Sequence, residues 1–252
     1  MGAIRERMRV DAGRCCMRMM SRRSFVGRAA AGLATVSATG LAARETDRIV
    51  MPGEWPMGEF DRLLKTPYAM KQLYDVPQVE DGNSLRHMAN SLNGLQFGFG
   101  IAPDEIKLVG GLRGAATVMN LGDAMWEKYG IGAIAKVNDP KTGKPAERNP
   151  FAASTVKEDA RGGLQALTAG SPAAMDWSME GLRVRGVQFM ACHMALFAFS
   201  EELVKERKLT AKPEEVLLEL KGHLLPGVLE VPSMVSAIAV LQSRGQFTYI
   251  RM

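Results

Sequence analysis

The chain has 252 residues, of which 46% are hydrophobic and 23% charged, with a formal net charge of +5 and a pI near 9.2. These proportions are those of a folded globular protein and exclude a disordered or collagen-like chain. The basic balance does not point to nucleic acid, because it is concentrated at one end. Residues 1–43 hold eight arginines against Glu6 and Asp11, leaving 24 basic and 25 acidic residues in the rest of the chain.

That basic end has an ordered grammar. In SRRSFVG, Ser21 to Gly27, the pair Arg22 and Arg23 is followed by one polar residue, then Phe25 and Val26, a pattern that resembles the twin-arginine export motif. The weakly apolar run Ala29–Ala43 follows, rich in Ala, Gly and Thr. Its small residues suit signal-peptidase cleavage near Ala43. The run is too short and too polar for a stable membrane span. Residues 1–43 therefore read as a signal peptide directing an already folded protein to the periplasm. Cys15 and Cys16 leave with it, so Cys192 is the one thiol of the mature chain and no internal disulfide forms.

Residues 44–68 are polar and broken by Pro52, Pro56 and Pro67, and read as an arm carrying a short helix at GEFDRLLK. A first strand is predicted over Ala69–Val76. A helix follows with Asn83 or Ser84 as cap, because Leu85, Met88, Ala89, Leu92 and Leu95 recur on one face. Ile106–Gly111 reads as a buried strand and Asp123–Tyr129 as a short helix. Residues 137–151 have turn formers and no periodicity, so the stretch around 137–172 reads as a loop embellishment of the domain. Next come a helix over Ala173–Arg185, a strand over Val187–Ala191 and a helix from His193 towards Lys208. Pro213 and the acids after it open another helix. VLEV is a short strand, VSAIAVLQSRG a helix closed by Gly245, and FTYI a last strand. Apolar strands alternating with amphipathic helices predict one α/β domain, with a mostly parallel sheet of about five strands covered on both faces.

Ligands of such sheets sit beyond the carboxyl ends of strands, where helix N-termini converge. Cys192 falls at a predicted junction of this kind. A cysteine there is either a reactive thiolate favoured by exposed amides and the helix dipole, or a small buried hydrophobe. His193 follows it, but adjacent helix residues diverge by about 100°, so a capping or solvated role stands beside contact with the sulfur. Met190 and Met194 could join Cys192 and His193 as soft-metal ligands; their strand and helix spacing favours core packing instead. His87 falls on the polar side of its helix and His223 near a helix end, neither at metal-ligand spacing, and no metal site is expected. GGLRG, Gly110 to Gly114, is a candidate anion cradle with Arg113 beside it.

GVQFMAC running into a helix, followed by LLPGVLEVPSMVSAIAVLQSRGQFTYI, Leu224 to Ile250, resembles the DsrE/DsrF family of sulfur-relay proteins. The helix around NSLRHMANSLNGLQ and the strand IKLVGG extend the resemblance over 69–252, with 130–172 as an insertion. The resemblance implies a flavodoxin-like three-layer sandwich that assembles into dimers, trimers or hexamers. It also implies a sulfur carrier or sulfurtransferase that needs no cofactor. Cys192 would hold sulfane sulfur as a persulfide, with His193 or Arg113 supporting the anion. The partners would be a protein or small-molecule sulfur donor or acceptor. The alternative is a non-catalytic periplasmic module that binds a small ligand, haem or a soft metal.

Overall fold

Parallel strands need long crossovers, and the helices that make them must cover both faces of the sheet. A computed structural model of the chain describes residues 49–156 and 167–252, all within one compact unit spanning Thr39–Met252. Arg22, Arg23, Ala43 and the rest of the expected signal peptide lie outside the described residues. The strands are β1 (Met70–Val76), β2 (Ile106–Leu112), β3 (Gln188–Cys192), β4 (Leu229–Val231) and β5 (Thr248–Arg251). They form one sheet in the order β4-β3-β2-β1-β5, and every neighbouring pair is parallel. The helices are α1 (Met57–Lys65), α2 (Asn83–Asn93), α3 (Asp123–Tyr129), α4 (Ile131–Ile134), α5 (Met179–Val184), α6 (His193–Glu206), α7 (Pro213–Gly222) and α8 (Met234–Ser243). The result is the α/β three-layer sandwich of flavodoxin-like form.

Alternation along the strands divides the interior in two. Tyr74, Val76, Leu108 and Phe189 face a first core built with Leu85, Met88 and Leu92 of α2 and Leu196, Phe197 and Leu203 of α6. Leu73, Val109, Met190, Cys192 and Val231 face a second core, closed by Phe60 and Leu63 of α1 and by Met234, Ala237 and Leu241 of α8. The chain steps in one direction from β1 to β4. It then returns through α8, on the second face, to β5 beside β1. A reversal of direction demands this change of face, because parallel crossovers are almost always right-handed. The helix predicted in the segment 44–68 is thus part of the packed body, with Phe60 and Leu63 buried.

Two local expectations are corrected. The cap of α2 is neither Asn83 nor Ser84. The chain enters through Gly82 at φ 73°, left-handed backbone that an N-cap side chain does not adopt, and Ser84 Oγ is buried without a partner among the described residues. A β-carbon at Gly82 would lie 2.8 Å from the Phe151 ring, so glycine is required twice over. The helix expected over Ala173–Arg185 shrinks to α5, preceded by a single turn at Pro172–Ala174. Ser178 Oγ accepts from Gly181 N at 3.0 Å and Asp176 Oδ1 from Ser178 N at 3.0 Å. Short polar side chains that bind nearby backbone in this way draw the chain into a turn before the helix begins.

Residues 137–151 form turns around an isolated bridge, Asn138 to Pro145, as the lack of periodicity predicts. They are nonetheless pinned. Asn149 Nδ2 donates to the carbonyls of Met119 and Leu121, both at 2.8 Å, and Phe151 meets Trp126 edge-on at 6.4 Å.

Since α1 seals the second core, Phe60→Ala is expected to lower unfolding free energy by about 3 kcal/mol in urea titration of the purified protein. A loss below about 0.5 kcal/mol, the range of surface substitutions, would show that α1 is not part of the packed body.

Candidate functional site

Neighbouring strands β3 and β4 hand the chain to opposite faces. β3 ends at Cys192, the N-cap residue of α6, whose apolar side packs in the first core. β4 ends at Val231, the register partner of Cys192, and the chain turns at once into α8 over the second core. Ligands of open α/β sheets bind where neighbouring strands diverge in this way. Cys192 stands at this junction, 5% exposed, and its Sγ accepts the backbone N–H of Met234 at 3.3 Å. Met234 is the first residue of α8. One sulfur therefore sits at the start of two helices, whose free N–H groups and dipoles favour negative charge.

The glycines predicted to cradle an anion do something else. A β-carbon at Gly110 would lie 2.8 Å from the Phe189 ring, and one at Gly111 would lie 2.7 Å from Met234 Sδ. Gly110 lets β3 side chains and α2 close on the first face. Gly111 lets the start of α8 settle on the second, which is what brings the Met234 N–H to Cys192. Met190 is fully buried in that core and Met194 is packed against it, as their spacing predicts.

Arg113 follows β2, the strand between Cys192 and β1. Its Nε and Nη2 donate to Asp75 Oδ1 at 2.6 Å and Oδ2 at 2.9 Å, and Tyr249 of β5 donates its hydroxyl to Asp75 Oδ2 at 2.7 Å. Asp75 is buried in β1. Burial alone would push its carboxyl up, but hydrogen bonds from Arg113 and Tyr249 and the charges of Arg113 and Arg251 hold it below the ordinary 3.8. The bond to Asp75 pushes the Arg113 guanidinium above its usual range against the effect of burial, with smaller electrostatic contributions from Tyr249 and Cys192. Arg113 is thus bound to a buried carboxylate just beyond the end of β2.

His193 is neither a solvated side chain nor a cap. It is 5% exposed and turned to the first face, where its Nδ1 lies 3.0 Å from Glu230 Oε1. Lys221 Nζ meets the same oxygen at 3.0 Å. Burial would raise the Glu230 carboxyl, and the hydrogen bonds from His193 and Lys221 outweigh it, keeping it below 4.5. An ionised Glu230 only accepts, so Nδ1 carries the proton. His87 and His223 are both exposed. Among the described residues no group of three His, Cys, Asp or Glu side chains is placed to hold a metal ion.

Comparison with protein-family models, with curated proteins and with solved structures finds no match. The functional reading therefore rests on geometry. Asp75, Glu230 and Tyr249 are site residues that sequence reasoning missed. The signal for Asp75 and Glu230 was a charge inside an apolar strand, at YDV and VLEV, where a carboxylate is tolerated only with a partner; Tyr249 left none.

The Asp75 network makes stability pH-dependent in a defined direction. A carboxyl whose folded value is depressed stabilises the fold above its unfolded value, and that contribution is lost as pH falls below 3.8 through the lower folded value. Asp75→Asn is expected to cost about 2 kcal/mol at neutral pH and to flatten the acid limb of urea-denaturation stability. An unchanged acid limb would contradict the pairing.

Proposed function

We propose that the protein is an exported sulfur carrier or sulfurtransferase in which Cys192 bears the transferred sulfur. The observation that carries this reading is the position of the thiol: at a strand-to-helix junction where neighbouring strands diverge, with a backbone N–H of a second helix on its sulfur. In the proposed cycle the Cys192 thiolate attacks the outer, sulfane sulfur of a persulfide, polysulfide or thiosulfate. A new S–S bond forms to Cys192 as the donor's S–S bond breaks. The bonding pair leaves with the donor, as thiolate, shortened polysulfide or sulfite. An acceptor thiolate then attacks the outer sulfur of the Cys192 persulfide, taking it and returning Cys192 as thiolate. Sulfur moves as a sulfane atom in both steps, and no external oxidant, reductant or cofactor is required.

The buried sulfur suits a slender donor such as a linear polysulfide better than a bulky one. The Met234 N–H and the helix termini stabilise the negative persulfide. Arg113, held in place by Asp75, lies at the same end of the sheet. His193 serves by orienting Glu230 and α6 rather than by touching sulfur.

The same reading places the protein outside the cytoplasm, through Arg22 and Arg23 and cleavage near Ala43. Among the described residues no helix is long and apolar enough to cross a membrane. Replacing both Arg22 and Arg23 by lysine is expected to leave precursor in the cytoplasm; undiminished periplasmic protein on cell fractionation would overturn the export route.

Mass spectrometry of the mature protein after polysulfide treatment is expected to show an added mass of about 32 Da per sulfur atom that dithiothreitol removes. Cys192→Ala should abolish it. No adduct on the wild-type protein, or an adduct retained by Cys192→Ala, would overturn the sulfur-carrier reading.

A further inference from the structure

At the amino end of β3 and β4, away from Cys192, lies a cavity of about 390 Å³, within the size range of small-molecule sites. Its floor is apolar, with Phe189 of β3, Val228 just before β4 and Met179 of α5. One wall is the Pro226–Gly227 turn. Val228 N donates to Leu225 O at 3.1 Å across it and Gly227 has φ 77°, the geometry of a type II turn. Gln188 Nε2 pins the turn by donating to Gly227 O at 2.8 Å. The side chain of Arg183 lies along this wall, and a β-carbon at Gly227 would come 3.1 Å from its Cδ.

The rim carries both signs of charge. Arg183 is exposed and has no carboxylate partner among the described residues. Asp123 Oδ1 accepts Asn149 N at 3.0 Å, which fixes that carboxylate with Oδ2 unpaired among the described residues. Glu180, whose Oε2 accepts Ser154 N at 2.9 Å, adds a second negative charge. An apolar floor between one cation and fixed carboxylates complements neither a simple fatty acid nor a simple amine. It complements a zwitterion with an apolar body.

We propose that this cavity binds a free amino acid with an apolar side chain of about leucine to phenylalanine size, its carboxylate on Arg183 and its ammonium on Asp123 and Glu180. The site is separate from the sulfur chemistry and does not depend on it.

Isothermal titration of the purified full-length protein with L-leucine and L-phenylalanine tests the proposal. Saturable binding of at least one is expected. Arg183→Gln should weaken it about tenfold or more, the loss of one charge-assisted hydrogen bond. Ala153→Trp should abolish it, because Ala153 is exposed at the cavity wall and a larger side chain there fills the space without entering the core. Cys192→Ser should leave it unchanged. No saturable binding, binding that survives both cavity variants, or equally tight binding of 4-methylpentanoate or isopentylamine would overturn the proposal.

Discussion

Two adjacent parallel strands that send their chain to opposite faces cannot both be covered at their ends by the same helix, and β3 and β4 are such a pair. The chain must then place at this junction a residue small enough to sit between two helix starts and able to accept a backbone N–H. Cys192 meets both conditions: it closes β3, heads α6 and receives the Met234 N–H of α8. The approach of α8 depends in turn on Gly111, where any side chain would displace Met234. The packing of the second core and the chemistry of the sulfur are therefore one constraint, because whatever moves α8 moves the donor to Cys192.

The same edge of the sheet gathers charge, and each charged group is paired across a different face. Asp75 lies on the second face with Arg113 and Tyr249, while Glu230 lies on the first with His193 and Lys221. A buried carboxylate without such partners would cost several kcal/mol. Pairing makes it tolerable and leaves a fixed field rather than a mobile one. Asp75 fixes the position of the Arg113 guanidinium at this end of the sheet. At the opposite end of β3 the apolar cavity carries Arg183 and Asp123, both exposed, on its rim.

Local spacing made most of the architecture legible. The one-faced recurrence of Leu85, Met88, Ala89 and Leu92 marks α2, all of them buried, and the apolar run ending at Cys192 marks the strand-to-helix junction. Periodicity sees neighbours a few residues away and nothing further. Asp75 meets Arg113 at a separation of 38 residues and Tyr249 at 174, and His193 meets Glu230 at 37, so their pairing is invisible until the sheet order is known. Gly110 and Gly111 misled for a related reason. Glycine at a strand end serves an anion or a close-packed helix equally well, and only the position of Phe189 and Met234 separates the two. The α5 region failed where Asp176 and Ser178 bound backbone locally and overrode an apolar pattern.

The link between Cys192 and the start of α8 can be observed directly by amide NMR of the ¹⁵N-labelled protein titrated with polysulfide. If the sulfur is loaded where the Met234 N–H donates to it, the largest shifts fall on Met234 and on the first amides of α6, at His193 and Met194. Shifts centred elsewhere, or a Met234 amide that stays in place while Cys192 becomes persulfidated, would contradict the account.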